Sequence, residues 1–335
     1  MKWDATERAG AIVPSMAAKR RTVDLIDKLS FPMFAISLVV EYVSLRNREK
    51  RILGDMADAD DETLSGSHEP RDPLVPLGFE RKDTWASLAM LGGNVAVQLA
   101  LQPAFDAMDE FLYRHRISRF GQRRGALLYA MVLWDLLYYW DHRWMHEVRL
   151  LWANHVSHHS SERYNLSTAL RQPWSPFVTF WVFAPMPLLG FEPKKVHRAG
   201  QLNLLYQFWI HTEAIDKLAK PIELVFNTPS HHRVHHATNR QYLDKNYGGI
   251  LIIWDRLFGT FEPELRRVRY GLTKNLNTYN PMRIGYHEFS DIARDVRSAT
   301  NWRDRVRYVI GRPGWRPDPP PPPRLTLVRS ESEAA

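Results

Sequence analysis

The chain has 335 residues, with 45 Lys and Arg against 37 Asp and Glu, a formal charge of +8 and no cysteine. The missing thiols exclude a disulfide framework, thiolate zinc sites, iron–sulfur clusters and cysteine-ligated haem. The basic balance comes with no basic helix or RNA motif, which favours a membrane surface over nucleic acid as its partner.

Residues 1–30 form a polar arm with a short basic run, Lys19-Arg20-Arg21, and no apolar stretch of the kind a signal peptide needs. The first apolar run is Phe31 to Leu45, interrupted by Glu41 and closed by Arg46, Arg48, Lys50 and Arg51. It is short for a bilayer crossing, which wants about 20 residues, unless Leu25 to Leu29 extends it. Residues 55–83 are acidic, and Pro70, Pro73 and Pro76 predict a loop. Trp85 to Phe105 is long enough to span, although Gly92-Gly93-Asn94 weakens its middle. Basic clusters flank this run at both ends, at 46–51 and at Arg114, Arg116, Arg119, Arg123 and Arg124, so the positive-inside rule gives conflicting votes. Either the run is a re-entrant hairpin bent at Gly92-Gly93, or one cluster sits at the non-cytoplasmic surface.

The third run, Gly125 to Tyr139, leads straight into His142. Asp135 inside it is costly in lipid and is expected to face the protein interior, as an anchor between helices or, slightly favoured, as support for a histidine. Trp174 to Leu189 is a fourth run, kinked by Pro176, Pro185 and Pro187; a fifth, Ala199 to Ile210, ends at His211. If 125–140 crosses one way and these two runs return as a hairpin, all the histidine groups emerge on one membrane face. Thr228-Pro229 predicts a helix start, with Thr as cap and Pro at the first position. Asn246-Tyr247-Gly248-Gly249 is a turn signal, and the Ile250 to Phe258 segment after it is expected to pack beneath the histidines rather than insert in lipid. Tyr286 to Ala299 has apolar residues at 289, 292, 293 and 296, the spacing of an amphipathic surface helix. Aromatic residues, 12 Trp, 13 Tyr and 15 Phe, flank many apolar runs as a membrane-surface belt would. Mean hydropathy is nonetheless only −0.39, because long polar arms dilute those runs.

The strongest signal is histidine spacing. Of 14 histidines, 11 lie between His142 and His236. A pair four apart, His142 and His146, is followed by the row His155, His158, His159, a lone His211, and a second row with the same spacing, His232, His235, His236. Residues three and four apart share a helix face, so each row turns its imidazoles toward one place. Neutral imidazole is a good ligand for iron, zinc, copper or nickel. Nine are too many for one ion and suit two ions with open positions. Isolated histidines are usually solvated or satisfied core residues; two copies of one spacing plus a pair make that ordinary origin improbable. His146-Glu147 starts like a zinc-protease motif, but position 150 is Leu, and the motif is absent. Spacing alone leaves di-iron and di-zinc open.

At these residues the chain resembles the fatty acid hydroxylase/sterol desaturase family of membrane di-iron oxygenases, nearest its alkylglycerol monooxygenase-like branch. The likeness covers roughly 120–265 and rests on Tyr-Tyr-Trp-Asp-His-Arg, His-His-Ser-Ser-Glu, Arg-Gln-Pro-Trp, Gln-Phe-Trp-Ile-His-Thr-Glu and Asn-Tyr-Gly-Gly-Ile. It implies an all-α fold of about four to five membrane helices, with the metals held in a cap on the cytoplasmic side. The nine histidines named above match the family's ligand positions, and His231 precedes the second row as a supporting residue. Gln207 stands where some members carry another histidine, leaving one metal a ligand short or marking its open position. Glu147 and Glu213, beside ligand histidines, are candidate supporting carboxylates, with surface ion pairing as the equal alternative. The domains then read as a polar arm over 1–30, a membrane-embedded di-iron domain over 31–265, an amphipathic extension over 266–315 and a Pro-rich tail over 316–335.

The implied activity is oxygen-dependent hydroxylation or desaturation of a lipid, of fatty acyl, alkylglycerol or sterol/isoprenoid type. Two iron ions are the implied cofactor, with zinc possible in purified protein. No flavin, nicotinamide or haem motif appears, so electrons come from an external reductant, a redox protein or a reduced pterin. The implied location is an integral membrane one, the bacterial inner membrane or the endoplasmic reticulum, with the metal site facing the cytoplasm. The rival classes are a membrane metal carrier and a non-redox di-zinc lipid-binding protein. Against the carrier, the histidines sit at helix ends rather than within spans.

Overall fold

The computed structural model describes residues 25–59 and 78–317, with side chains for 32–51 and 78–317; the polar arm before 25 and the polyproline tail lie outside these residues. Its contacts divide the chain at Ile36, into a unit up to that residue and a unit from Ser37 onward. Among the described residues the secondary structure is helical, and the one β feature is an isolated bridge between Phe226 and Leu251.

Helix α1, Leu25–Ala59, is a single helix of 35 residues with Pro32 inside it. It runs straight through the basic cluster expected to close it and into the segment expected to be a loop. Glu41, which interrupts its apolar pattern, is buried, and its carboxylate accepts bonds from the Leu166 amide and the Thr212 hydroxyl. That carboxyl group is therefore an anchor for the two segments that follow His159 and His211.

Helix α2, Arg81–Arg114, is continuous through Gly92-Gly93 and Pro103, so the re-entrant hairpin is overturned. Gly93 serves packing instead, since a Cβ there would lie 2.3 Å from the Trp174 indole. By length and composition α2 is the one helix among the described residues able to cross a membrane, where four or five were expected. The loop that follows α2 contains one 3₁₀ turn, Phe120–Gln122.

Helix α3, Ala126–Glu147, starts after Gly125 in the left-handed region, and α4, Arg149–His159, follows after a single residue, Val148. The fourth apolar run is not a helix. It breaks into 3₁₀ turns at Pro176–Val178 and Phe180–Phe183 and one turn of helix, α5, Pro185–Leu188. The prolines are the cause, since each removes an amide donor and its ring clashes with the preceding turn. Helix α6, Pro193–Ile210, begins with proline at its first position and packs along α3. Ala130, Trp134, Met186, Phe191, Val196 and Ala199 form the shared core. Gly200 permits the close approach, because a Cβ there would meet the Trp134 indole at 3.0 Å.

Short helices α7, Lys220–Val225, α8, Pro229–His235, and α9, Ile253–Phe258, frame the second histidine row. Thr228 is the N-cap residue of α8, as its sequence predicts, but its hydroxyl donates to Glu223 rather than capping the helix. Ile252 is buried while Leu257 is exposed, so the 250–258 segment both packs and presents an apolar edge. Helix α10, Pro281–Ser298, is capped by Asn280, whose side chain accepts from the Met282 and Arg283 amides. It rests on α4 and α2, burying Ile284 against Ala86 and Met90. Helix α11, Trp302–Ile310, completes the fold and was not evident in the sequence.

Candidate metal centre

The nine histidines predicted from spacing converge, and all are buried. They form two groups: His142, His146, His155, His159 and His235 in one, and His158, His211, His232 and His236 in the other, with the nitrogens of each group within 4.8 Å of one another. Helical periodicity dictates the sorting. In the α4 row, positions 155 and 159 are four apart and enter the first group, while 158 turns to the second. The row starting in α8 does the reverse, with 232 and 236 entering the second group and 235 the first. The i, i+4 pair of α3 supplies the first group, and His211, at the end of α6, supplies the second. The groups adjoin through ring contacts such as His159 with His236, centroids 4.3 Å apart.

Main-chain carbonyls fix which nitrogen points inward. The Nδ1 of His142 donates to the Tyr247 carbonyl at 2.8 Å, that of His211 to the Gln207 carbonyl at 2.6 Å, and that of His235 to the Lys245 carbonyl at 3.0 Å. With the proton committed to Nδ1, the Nε2 of each ring is a bare lone pair aimed at the centre. In the first group the Nε2 atoms of His142, His155, His159 and His235 then follow one another at 2.9, 3.0 and 3.2 Å. Both ends of that series are acceptors. No placement of protons on the two middle rings turns all three contacts into hydrogen bonds, because donor and acceptor would have to alternate. The Nε2 atoms of His146 and His236 are buried with no hydrogen-bond partner. Lone pairs packed this way repel unless a cation lies among them, so the donor set fits metal ions.

Burial keeps eight of the rings neutral, the form that metal binding requires. It pushes the His142 value from 6.5 down to about 3, helped by the neighbouring His146, and that of His211 down to about 4. His155, His158, His159, His232, His235 and His236 are held well below their ordinary value by burial first and by one another second.

The supporting residues expected from sequence are placed differently from one another. Asp135 touches no ring nitrogen. Its carboxylate accepts from the Asn203 amide at 2.6 Å, the main-chain amides of Ile250 and Leu251 and the Trp254 indole, which makes it the anchor joining α3, α6 and the 250–254 segment. Gln207 gives no donor to the second group. Its side-chain amide donates to Asn203 Oδ1 at 2.6 Å, and its main-chain carbonyl orients His211. The position four before His211 thus accounts for four nitrogens in one group against five in the other. Glu147 pairs with Arg143 at 3.2 Å and lies 3.8 Å from Arg312, away from the rings. The carboxylate nearest His146 is instead Asp244, 3.8 Å from its Nδ1. His231 turns out of both groups to face Glu223 at 3.0 Å. Glu213 is buried and accepts from the Tyr270 hydroxyl at 2.8 Å; Tyr270 stacks on Tyr164 at 4.8 Å, and Tyr164 faces His211 and His236.

Three residues that support the site were not singled out by spacing. Asp255 accepts from the amides of Tyr247 and Gly248, shaping the turn whose carbonyl holds His142. Asn203 bridges Asp135 and Gln207. Arg171 is buried against Asp83 at 2.6 Å and also donates to the Ser160 hydroxyl, tying α2 to the end of the first row. Arg171 lies in the Arg-Gln-Pro-Trp segment, and Asp255 in the Ile250 to Phe258 segment that follows the glycine turn.

Residues 127–260 match the family model described as fatty acid hydroxylase. Alkylglycerol monooxygenase of Homo sapiens is 50% identical over 187 residues, which cover 56% of this chain and 42% of that protein. Its counterpart in Caenorhabditis elegans is 38% identical over 209 residues, covering 58% of this chain and 41% of the relative. Ornithine lipid hydroxylase OlsE of Rhizobium tropici is 28% identical over 141 residues, covering 39% of this chain and 40% of the relative. The matched stretch is thus less than half of the length of each of these curated relatives. No solved structure gives a significant match.

Proposed function

We propose that the chain, whose residues 127–260 match the fatty acid hydroxylase family model, is a member of that family and a membrane-bound, oxygen-dependent lipid hydroxylase with a di-iron centre. The observation that carries the proposal is the pair of adjoining histidine groups: no placement of protons satisfies the inward nitrogens of the first, and His236 Nε2 in the second is buried without a partner. His142, His146, His155, His159 and His235 would hold one ion, and His158, His211, His232 and His236 the other. Bound iron would supply the redox chemistry that activates dioxygen and oxidises a C–H bond.

The chain's own residues set the conditions for that chemistry. Burial keeps eight of the imidazoles neutral, the carbonyls of Tyr247, Gln207 and Lys245 fix the tautomers of His142, His211 and His235, Asp255 shapes the turn that carries the Tyr247 carbonyl, and Asn203 holds the Gln207 side chain. The group that contains His211 has one donor fewer, so it is the group we assign the open position. Its opening follows from Gln207 having turned to Asn203.

A lipid substrate fits the surroundings. Val39, Val40 and Val43 of α1, Val95, Leu99 and Phe111 of α2, and Leu127, Leu128 and Val132 of α3 are exposed apolar side chains. We read these rows as lipid-facing and the histidine-bearing helix ends as standing at the cytoplasmic surface. The alkylglycerol monooxygenases among its relatives make an ether lipid of the glycerol class the first substrate to try, with fatty acyl lipids next. Desaturation of the same lipids is the alternative outcome of one reaction type. The electrons come from a partner, a redox protein or a reduced pterin.

Metal analysis of anaerobically purified protein is the first test. About two irons per chain, with product formed only when reductant and oxygen are both supplied, is the expected result. Tightly held zinc without oxygen uptake would instead establish a non-redox, di-zinc lipid-binding protein.

A further inference from the structure

Helix α11 has a face that the fold does not use. Tyr308 is its one buried residue, and it closes on Arg149, the first residue of α4. The Arg149 guanidinium lies 5.8 Å from the Tyr308 ring and donates to the Tyr308 carbonyl, while the Arg149 amide donates to the Gly311 carbonyl at 2.9 Å. The same guanidinium pairs with Glu288 and Asp295 of α10 at 2.7 Å, so α10 and α11 are clamped together on α4. Successive helical residues turn by about 100°, which points Val306 almost directly away from Tyr308. Trp302 and Ile310, four residues to either side, share the face of Val306. Trp302, Val306 and Ile310 are 69%, 43% and 60% exposed. A nine-residue helix that buries one side chain and shows three large apolar ones on the opposite side is inverted relative to an ordinary surface helix, whose outer face is polar.

The charges beside the stripe are of one sign. Arg303 and Arg307 border one edge and Arg305 the other, and all three are exposed. Arg303 lies over the Trp302 ring at 5.8 Å and Arg307 over the Trp315 ring at 5.6 Å; none of the three is paired with a carboxylate among the described residues. The acidic groups nearby are already engaged, Asp304 by the Asn301 side chain and Glu288 and Asp295 by Arg149. The hairpin of α10 and α11 also stands beside α2, the one helix among the described residues able to cross a membrane. Ile284 of α10 is buried against Ala86 and Met90 in the first turns of α2, and Met282 and Tyr286 are exposed at that end. Asp83, one turn before Ala86, accepts from the hydroxyl of Ser161, just past His159. The hairpin therefore lies at the end of α2 where the histidine groups stand.

We propose that α11 is an in-plane anchor on an anionic bilayer surface. Its Trp302–Val306–Ile310 stripe enters the boundary between headgroups and acyl chains, and Arg303, Arg305 and Arg307 reach from its two edges to lipid phosphates. The inference rests on the membrane reading above and adds to it a contact with the bilayer separate from that of α2. A second copy of this chain fits the face less well, because a two-fold contact through one stripe would bring the same arginines together. Seated in this way, α11 sets the height of α4 over the bilayer through the Arg149 clamp, and with it the row His155, His158, His159.

The chain has no cysteine, so single cysteines carry a nitroxide label to chosen positions of the full chain in nanodiscs of phosphatidylcholine and phosphatidylglycerol. Val306→Cys reports the stripe, Leu99→Cys on the exposed face of α2 is the lipid reference, and the exposed Gln241→Cys, beyond the second histidine row, is the water reference. Relaxation of the label by dissolved oxygen reports lipid, and relaxation by a water-soluble nickel chelate reports water. The Val306 label should lose the nickel effect seen at Gln241 and keep the oxygen effect seen at Leu99. Adding R303Q/R305Q/R307Q should restore nickel access at Val306 and leave Leu99 as it was, with an unchanged melting temperature showing that the fold is kept. Nickel access at Val306 equal to that at Gln241 overturns the proposal. So does shielding from both reagents, which would put residues 318–335 or another protein on the stripe. In either case a Leu99 label still in lipid preserves the membrane reading, whereas a Leu99 label open to nickel sinks both. A triple variant that behaves like its parent overturns the role given to the arginines.

Discussion

His235 illustrates how one residue couples tautomer, burial and metal affinity. Its Nδ1 is spent on the Lys245 carbonyl and its Nε2 faces His159 at 3.2 Å. His235→Ala removes one of five inward nitrogens from its group. Iron bound per chain should fall by about half and turnover should be lost, while membrane insertion persists; metal analysis of the membrane-extracted protein measures this. Full iron content in the variant would remove His235 from the ligand set. The buried rings also predict a pH dependence with a definite sign. In the folded protein His142 and His211 protonate only near 3 and 4, whereas the unfolded chain takes up protons at 6.5. The unfolded state therefore binds more protons below about pH 6.5, and stability falls as the pH drops through the window from there to the folded values. The melting temperature of metal-free protein should decline from pH 7 to pH 5, and metal should be released over the same range because protons compete for the nitrogens. A flat profile would show that the rings are not buried neutral.

The elements that carry the histidines are held by a few buried polar anchors. Arg171 and Asp83 tie α2 to the end of the first row, and both are almost wholly buried. Arg171→Met would leave Asp83 buried and uncompensated, at a cost of about 3–5 kcal/mol. Denaturant unfolding should show that loss, and Asp83→Asn in the same background should restore part of it. Asp135 is the equivalent anchor for α3 and α6. On α2, Gly93 acts by absence of bulk, since it lies under the Trp174 indole. Gly93→Val should cost about 1–3 kcal/mol through overpacking, whereas Gly92→Val, which meets nothing within 4 Å, should cost far less. A hinge role would predict the two substitutions to be alike.

For the molecule as a whole, the exposed apolar rows on α1, α2 and α3 predict retention in the membrane fraction after alkaline carbonate washing. Release into the supernatant would contradict a spanning α2. Much of this architecture was legible along the chain. Apolar runs located α2, α3 and α6, and the amphipathic spacing located α10. The run at 174–189 misled because hydropathy counts Pro176, Pro185 and Pro187 as neutral, whereas their missing amide donors break the helix into single turns. The basic cluster at 46–51 misled in the opposite direction, since charged residues at a helix's surface do not end it. Helix α11 was missed because its nine residues, five apolar or aromatic among four charged, make too short a run for periodicity to stand out, and it gains its stability by docking on α10 and α4.

The sequence by itself determined the number and kind of the site's donors, because imidazoles three and four residues apart must share a helix face wherever that helix ends up. It also determined the absence of thiol chemistry. Only the tertiary structure decided how the two rows interleave, which carbonyls fix the ring protons, and that Gln207 turns to Asn203 rather than to the histidine groups. Those outcomes depend on contacts between residues far apart in the chain, such as His142 with Tyr247 and Asp135 with Trp254. Local periodicity carries no information about such pairs, since their geometry is set by packing between elements rather than by spacing within one.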